Sequence, residues 1–142
     1  MSAHLQIKPL VARTELPLPL YLAPVSAGFP SPAEDYLDRA LDLNELLISN
    51  PAATFYVRAS GDSMRDAGIQ TGDILIVDRA IEPRPGKIVI AAVDGELTVK
   101  RLRLKDGRLY LAPENPAYPC LEVSPEASFE IWGVVTCVIH RT

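Results

Sequence analysis

Ser63 and Lys100 are the two side chains of this sequence whose surroundings could support covalent chemistry. Ser60-Gly61-Asp62-Ser63-Met64 follows directly on a β-patterned run, Thr54 to Ala59, and Met64 to Gly68 can form one helical turn. A serine at such a strand-to-helix junction is exposed, and the amides around it point at any carbonyl that approaches, which is the geometry of an oxyanion hole. An N-cap role for Asp62 or Ser63 accounts for the same residues without chemistry. No histidine completes a conventional triad, since His4 lies near one end and His140 near the other, outside any recognisable constellation. The base for a serine nucleophile then has to be something else, and a lysine can serve if it is neutral. An ordinary lysine of pKa about 10.4 is deprotonated only about once in 2,500 at pH 7, a penalty of about 4.6 kcal/mol that burial can largely remove.

Lys100 has to be positioned by the strand it sits on. In the run Glu96 to Lys105, residues of equal parity share a face, so Thr98, Lys100, Leu102 and Leu104 point one way and Leu97, Val99, Arg101 and Arg103 the other. Asp94-Gly95 and Asp106-Gly107 are two-residue hairpin signals. If both turns are of the primed type, Val93 pairs with Glu96 and Val89 with Lys100, while Lys105 pairs with Arg108 and Leu102 with Leu111. Lys100 then faces Val89 and, diagonally, Ala91, which strip water from its ammonium and supply no counter-charge. That desolvation and the neighbouring Arg101 and Arg103 favour the neutral amine. The competing arrangement is a bulge after Lys100 that leaves Glu96, Thr98 and Lys100 on a solvated face. Arg101, Arg103, Lys105 and Arg108 read as a solvated strand edge around a hairpin tip, open also to a protein partner.

Six runs carry strand composition between turns of Gly, Pro and Asp: Thr54 to Ala59, Asp73 to Asp78, Lys87 to Val93, Glu96 to Leu104, Arg108 to Ala112 and Phe129 to Ile139. They predict an antiparallel meander rolled into a mostly β domain. Ahead of it, Ser31-Pro32-Ala33-Glu34 combines an N-cap, a first-turn proline and a capping-box glutamate, followed by Tyr36, Leu37, Ala40 and Leu41 at helical spacing. This predicts a helix from Ser31 onward. A second short helix is expected where Asp42 to Glu45 repeats the signature, with Leu43, Leu46 and Leu47 as its apolar stripe up to Asn50-Pro51. Residues 1 to 31 hold five prolines and three charged residues, a composition for an extended apolar arm that must dock on the folded domain or on another subunit. The division expected is an arm, 1–31, and a β domain, 32–142.

With 142 residues, 48% of them hydrophobic, the chain can bury one core. Its formal charge of −4 argues against direct binding of nucleic acid. Cys120 and Cys137 lack metal-ligand spacing and read as buried thiols of a reducing compartment, so no metal or cofactor is expected. No run approaches the ~18 apolar residues of a membrane span. Val25-Ser26-Ala27 before Gly28 imitates a signal-peptide cleavage site, but Arg13, Glu15 and prolines 9, 17, 19 and 24 break the apolar helix such a signal needs. The protein is expected in the cytoplasm.

Three stretches resemble a known family: GFPSPAEDYLDRALDLNELLI, ASGDSMRDAGIQTGDILIVDRAI and IVIAAVDGELTVKRL. They are similar, from about Gly28 to Ile139, to the LexA/UmuD family of self-cleaving SOS-response proteins. The resemblance implies a LexA/UmuD-like antiparallel β domain with short helices and an extended amino-terminal arm. It implies that Ser63 attacks, that Lys100 takes its proton, and that the backbone amides of Asp62 and Ser63 hold the oxyanion. It further places the bond cut in the VSAGF segment, between Ala27 and Gly28. Gly28 suits that position because a residue without Cβ tolerates the tight turn needed there.

The partners implied are a second copy of the chain in a homodimer, a RecA filament on single-stranded DNA that promotes cleavage, and a UmuC-like Y-family DNA polymerase joined by the shortened product. Cutting can run within or between subunits. The 27 Pro-interrupted residues before Gly28 are not expected to build a helix-turn-helix domain, which speaks against a repressor. Two other readings stay open: a signal-peptidase-like processing enzyme, which needs a membrane anchor, and a non-catalytic homodimeric interaction module that uses the arm only for dimerisation.

Overall fold

The computed structural model describes residues 15–21 and 37–142, in two compact units, one within Val11–Ser49 and one running from Asn50 to Thr142. In the first, strand β1 (Leu18–Tyr21) pairs antiparallel with β2 (Leu37–Leu41), with Leu18 opposite Leu41 and Pro19 opposite Ala40. Proline is admissible in β1 because a two-stranded sheet leaves every strand a free edge. Helix α1 (Leu43–Leu47) follows, and the Asp42 side chain accepts a hydrogen bond from the Asn44 amide at 3.0 Å.

The helix expected from Ser31 is corrected where the structure describes it, because Leu37–Leu41 is a strand. Two capping signals compete for this stretch, and the second prevails. A helix running through Leu41 would place Asp42 inside it, whereas Asp42 in extended conformation caps α1 and also accepts from the Leu16 amide at 3.2 Å. Pairing with β1 overrides the helical spacing of Leu37, Ala40 and Leu41. The start of that expected helix, and the Ala27-Gly28 bond, lie outside the described residues.

The second unit is a seven-stranded antiparallel sheet. Its strands are β3 (Thr54–Arg58), β4 (Ile74–Asp78), β5 (Ile88–Val93), β6 (Glu96–Lys105), β7 (Arg108–Ala112), β8 (Leu121–Glu122) and β9 (Phe129–Ile139), in the spatial order β3-β4-β9-β5-β6-β7-β8. The mostly β, antiparallel LexA/UmuD-like fold is therefore present. β5 shows why both faces are dry: Ile90 enters a cluster with Phe55, Met64, Ile69, Leu75 and Val77, while its neighbours Val89 and Ala91 enter another with Leu102, Leu111 and Val134. Alternation along one strand feeds two cores, so an unbroken apolar run is required. β9 bridges β4 and β5, with register shifts opposite Ile76/Val77 and Ile90/Ala91.

Both Asp-Gly turns have positive φ at each central residue, 49° and 81° at Asp94-Gly95 and 52° and 74° at Asp106-Gly107. Such turns match the right-handed twist of the strands they join and hold register. The pairs Val93 with Glu96, Val89 with Lys100, Lys105 with Arg108 and Leu102 with Leu111 are all present. Neither pairing of β6 is irregular at Lys100, so the alternative of a bulge after that residue does not hold. The two cysteines differ from the expectation: Cys120 is exposed and Cys137 half-buried, because Cys120 lies in the loop entering the short edge strand β8 rather than in either core.

Candidate active site

Three local devices place Ser63. Met64, only 2% exposed, drives the loop after β3 into the first core cluster. The Gln70–Asp73 turn holds the loop's root, through Ala59 donating to Asp73 at 2.8 Å, Gly72 donating to Ala59 at 2.9 Å and the Thr71 hydroxyl donating to the Gly61 carbonyl at 2.9 Å. Beyond Ser63, a single tight turn (Arg65–Ala67) ends at Gly68 in left-handed conformation, φ 82°. The cap position of that turn belongs to Met64 and carries no side-chain hydrogen bond, so neither Asp62 nor Ser63 serves as its N-cap.

Lys100 reaches this loop from β6. Its Nζ lies 3.1 Å from Ser63 Oγ, 2.8 Å from Thr98 Oγ1 and 3.1 Å from the Val99 carbonyl. Among the described residues no carboxylate pairs with it. Burial pushes its pKa below the ordinary 10.5. Arg101 and Arg103 do not share in that effect as expected. They project to the other face of β6, where both donate to the Glu114 carboxylate. Arg108 pairs with Glu122 at 3.6 Å, while Arg103, Lys105 and Arg108 are exposed, as a strand edge requires.

An ammonium has three N–H groups, and three acceptors surround Nζ. Loss of one proton leaves two N–H groups for Thr98 and Val99 and a lone pair free to receive the Ser63 proton. Among the described residues the amides of Asp62 and Ser63 donate to no acceptor. They are available donors in a loop beside the hydroxyl. A groove of about 570 Å³ leads to Lys100 between the apolar side chains of Val93, Leu97, Leu111 and Leu121, with Asp94 and Glu96 beside them.

Sequence reasoning named Ser63 and Lys100, which lie 3.1 Å apart, but missed the neighbours that hold them. Thr98 was legible as a residue on the Lys100 face, two positions away. The segment after β7 was not legible: Asn115 Nδ2 donates to the Asp62 carbonyl at 2.9 Å, Tyr118 donates to the Asp62 carboxylate at 2.5 Å, and the Glu114 amide donates to the Ser63 carbonyl at 2.8 Å. The hydrogen bond to Asp62 raises the Tyr118 phenol above its ordinary 10.0.

An antiparallel β domain with short helices is consistent with the LexA/UmuD-like class of fold. Comparison with known proteins agrees with the architecture. Residues 19–136 match the model of the family described as Peptidase S24-like. The chain is 56% identical over 124 residues to Protein SamA of Salmonella typhimurium, covering 87% of this chain and 86% of that protein. It is 47% identical over 120 residues to Protein MucA of Escherichia coli, covering 84% and 82%. It is 40% identical over 134 residues to the LexA repressor of Paracidovorax citrulli, covering 94% of this chain and 59% of the repressor. This chain belongs to the Peptidase S24-like family. No helix among the described residues is long and apolar enough to cross a membrane.

Proposed function

We propose that the protein is a UmuD-like self-cleaving serine endopeptidase of the SOS response, which cuts its own Ala27-Gly28 bond with a Ser63/Lys100 dyad. The observation that carries this reading is the 3.1 Å approach of the Lys100 amine to the Ser63 hydroxyl in a half-buried setting, without a paired carboxylate among the described residues. The neutral amine takes the Ser63 proton as Oγ bonds to the Ala27 carbonyl carbon. The Asp62 and Ser63 amides hold the resulting oxyanion. The ammonium returns its proton to the Gly28 nitrogen as the peptide bond breaks, leaving an ester between Ala27 and Ser63. Water, deprotonated by the same amine, then hydrolyses that ester and frees Ser63.

In this reading residues 1–31 are the arm that carries the bond and 32–142 the catalytic β domain. The apolar groove beside Lys100 suits an extended peptide of the arm's composition. The protein acts in the cytoplasm as a homodimer, a RecA filament on single-stranded DNA promotes the cut, and the product, residues 28–142, serves as a subunit of an error-prone translesion synthesis complex with a UmuC-like Y-family polymerase.

Mass spectrometry after incubation near pH 10, close to the free lysine pKa of about 10.4, tests the chemistry. The expected result is a new amino terminus at Gly28. Ser63→Ala and Lys100→Ala each abolish it while the fold persists. An intact wild-type chain, both there and with RecA, nucleotide and single-stranded DNA, supports a non-catalytic interaction module instead.

A further inference from the structure

We infer that Asn115 is a positioning residue for the oxyanion site, aiming the Ser63 amide through the peptide group that it shares with Asp62. The inference rests on the self-cleavage reading above and adds a residue to it.

The Asp62 carbonyl and the Ser63 N–H belong to one planar trans peptide and point in opposite directions. Whatever fixes the carbonyl from behind therefore fixes where the N–H points in front. Asn115 Nδ2 donates to that carbonyl at 2.9 Å. The Asn115 side chain cannot swing away or flip, because it is only 6% exposed and its Oδ1 accepts from the Ala117 amide at 3.0 Å. A flipped amide would set oxygen against oxygen at one end and N–H against N–H at the other. The hydrogen bond also polarises the peptide and strengthens the Ser63 N–H as a donor.

The next peptide is held from the same segment. The Glu114 amide donates to the Ser63 carbonyl at 2.8 Å, and the Glu114 carbonyl accepts from the Asp66 amide at 2.8 Å. Two consecutive residues thus hold the two peptides that flank the nucleophile. The Glu114 carboxylate in turn accepts from Arg101, the residue after Lys100 on β6, and Arg101 also donates to the Gly86 carbonyl at 2.6 Å. Strand and loop are braced through Glu114 while Asn115 sets the donor's direction.

Loss of an oxyanion donor outright lowers rates by about 10²–10³-fold, so loosening one without removing it should lower the rate by roughly 10- to 100-fold. Asn115 does not touch the Lys100 amine, so the pH at which the rate is half-maximal should not move.

The test is the self-cleavage rate of the full chain from about pH 7 to about pH 10.5, with thermal unfolding followed by the fluorescence of Trp132, the single tryptophan. Asn115→Ala should lower the high-pH plateau by that factor and leave the midpoint unchanged, in protein that is folded at the assay temperature. Asn115→Asp keeps the shape and the acceptor for Ala117 but replaces the donor facing the Asp62 carbonyl. It should lose at least as much rate, and it decides the matter if the alanine variant does not fold. A wild-type chain that cleaves beside an equally active Asn115→Ala or Asn115→Asp overturns this inference alone. So does a rate loss that follows the folded fraction, or a moved midpoint with an unchanged plateau in Asn115→Ala. A wild-type chain that never cleaves overturns the parent reading and this inference with it.

Discussion

At the scale of single residues, Lys100 is held between two opposing demands. Burial disfavours its charge and lowers its pKa, whereas three oxygen acceptors around Nζ stabilise the charged form. Desolvation prevails, so the fraction of free amine rises with pH through a midpoint below the ordinary value of 10.5. Self-cleavage should follow the same curve, rising from neutral pH to a plateau. Thr98→Val separates the two demands. It removes an acceptor for the ammonium, so the midpoint moves down, and it removes an anchor for the amine, so the plateau falls by about tenfold or more. The pH–rate profile of this variant checks both signs. A midpoint displaced upward would mean that the Thr98 hydroxyl chiefly supports the neutral amine.

At the scale of elements, close approach at Gly133 governs how β9 crosses β4. A Cβ at Gly133 would sit 2.6 Å from Val77 Cγ1 and 3.2 Å from the Asp78 carbonyl oxygen. Val77 is fully buried and β-branched, so it has little freedom to yield. Gly133→Ala should therefore destabilise the protein by about 1–3 kcal/mol, read as a lowered midpoint in urea unfolding.

The β5–β6 and β6–β7 registers are legible in the amino-acid order alone, because Asp-Gly turns fix the pairing within a few residues of chain. That local certainty carries Lys100 to its face. The shifts in β9 leave no such mark, since they come from its simultaneous pairing with β4 and β5. β2 reads as helix because its partner β1 lies far off in sequence and the local spacing is helical. Asn115 is invisible for the same reason: its role depends on an atom 53 residues away, and Glu-Asn-Pro in a loop reads as a turn.

At the scale of the whole molecule, the carboxy-terminal end is clasped to the turn that roots the Ser63 loop. His140 Nδ1 lies 2.6 Å from the Asp73 carboxylate, and the other Asp73 oxygen accepts from the Gln70 amide at 2.8 Å. The Gln70 amide and then His140 hold the Asp73 pKa below its ordinary 3.8. A carboxylate so lowered stabilises the fold at pH values above its unfolded pKa, about 3.9, and that contribution is lost as pH falls through the depressed folded value. Asp73→Asn should accordingly be less stable than the wild type at neutral pH, with the gap closing below about pH 4. Urea unfolding at several pH values checks this, and a gap that stays constant into acid would refute the assignment.

The pairing of β1 with β2 has a further consequence. Ala27-Gly28 lies in the connection between Leu18–Tyr21 and Leu37–Leu41. While the chain is whole, that tether keeps the strands together at an effective concentration on the order of millimolar. If the bond is cut as proposed, the same few hydrogen bonds have to join two separate molecules, and a two-stranded pairing by itself is marginally stable at best in water. The 27-residue fragment should then elute apart from the remainder in size-exclusion chromatography, and co-elution would contradict this. In the proposed self-cleavage, departure of the fragment would make the event a fuse: dilution would prevent resealing, and the edge of Leu37–Leu41 would be newly laid open.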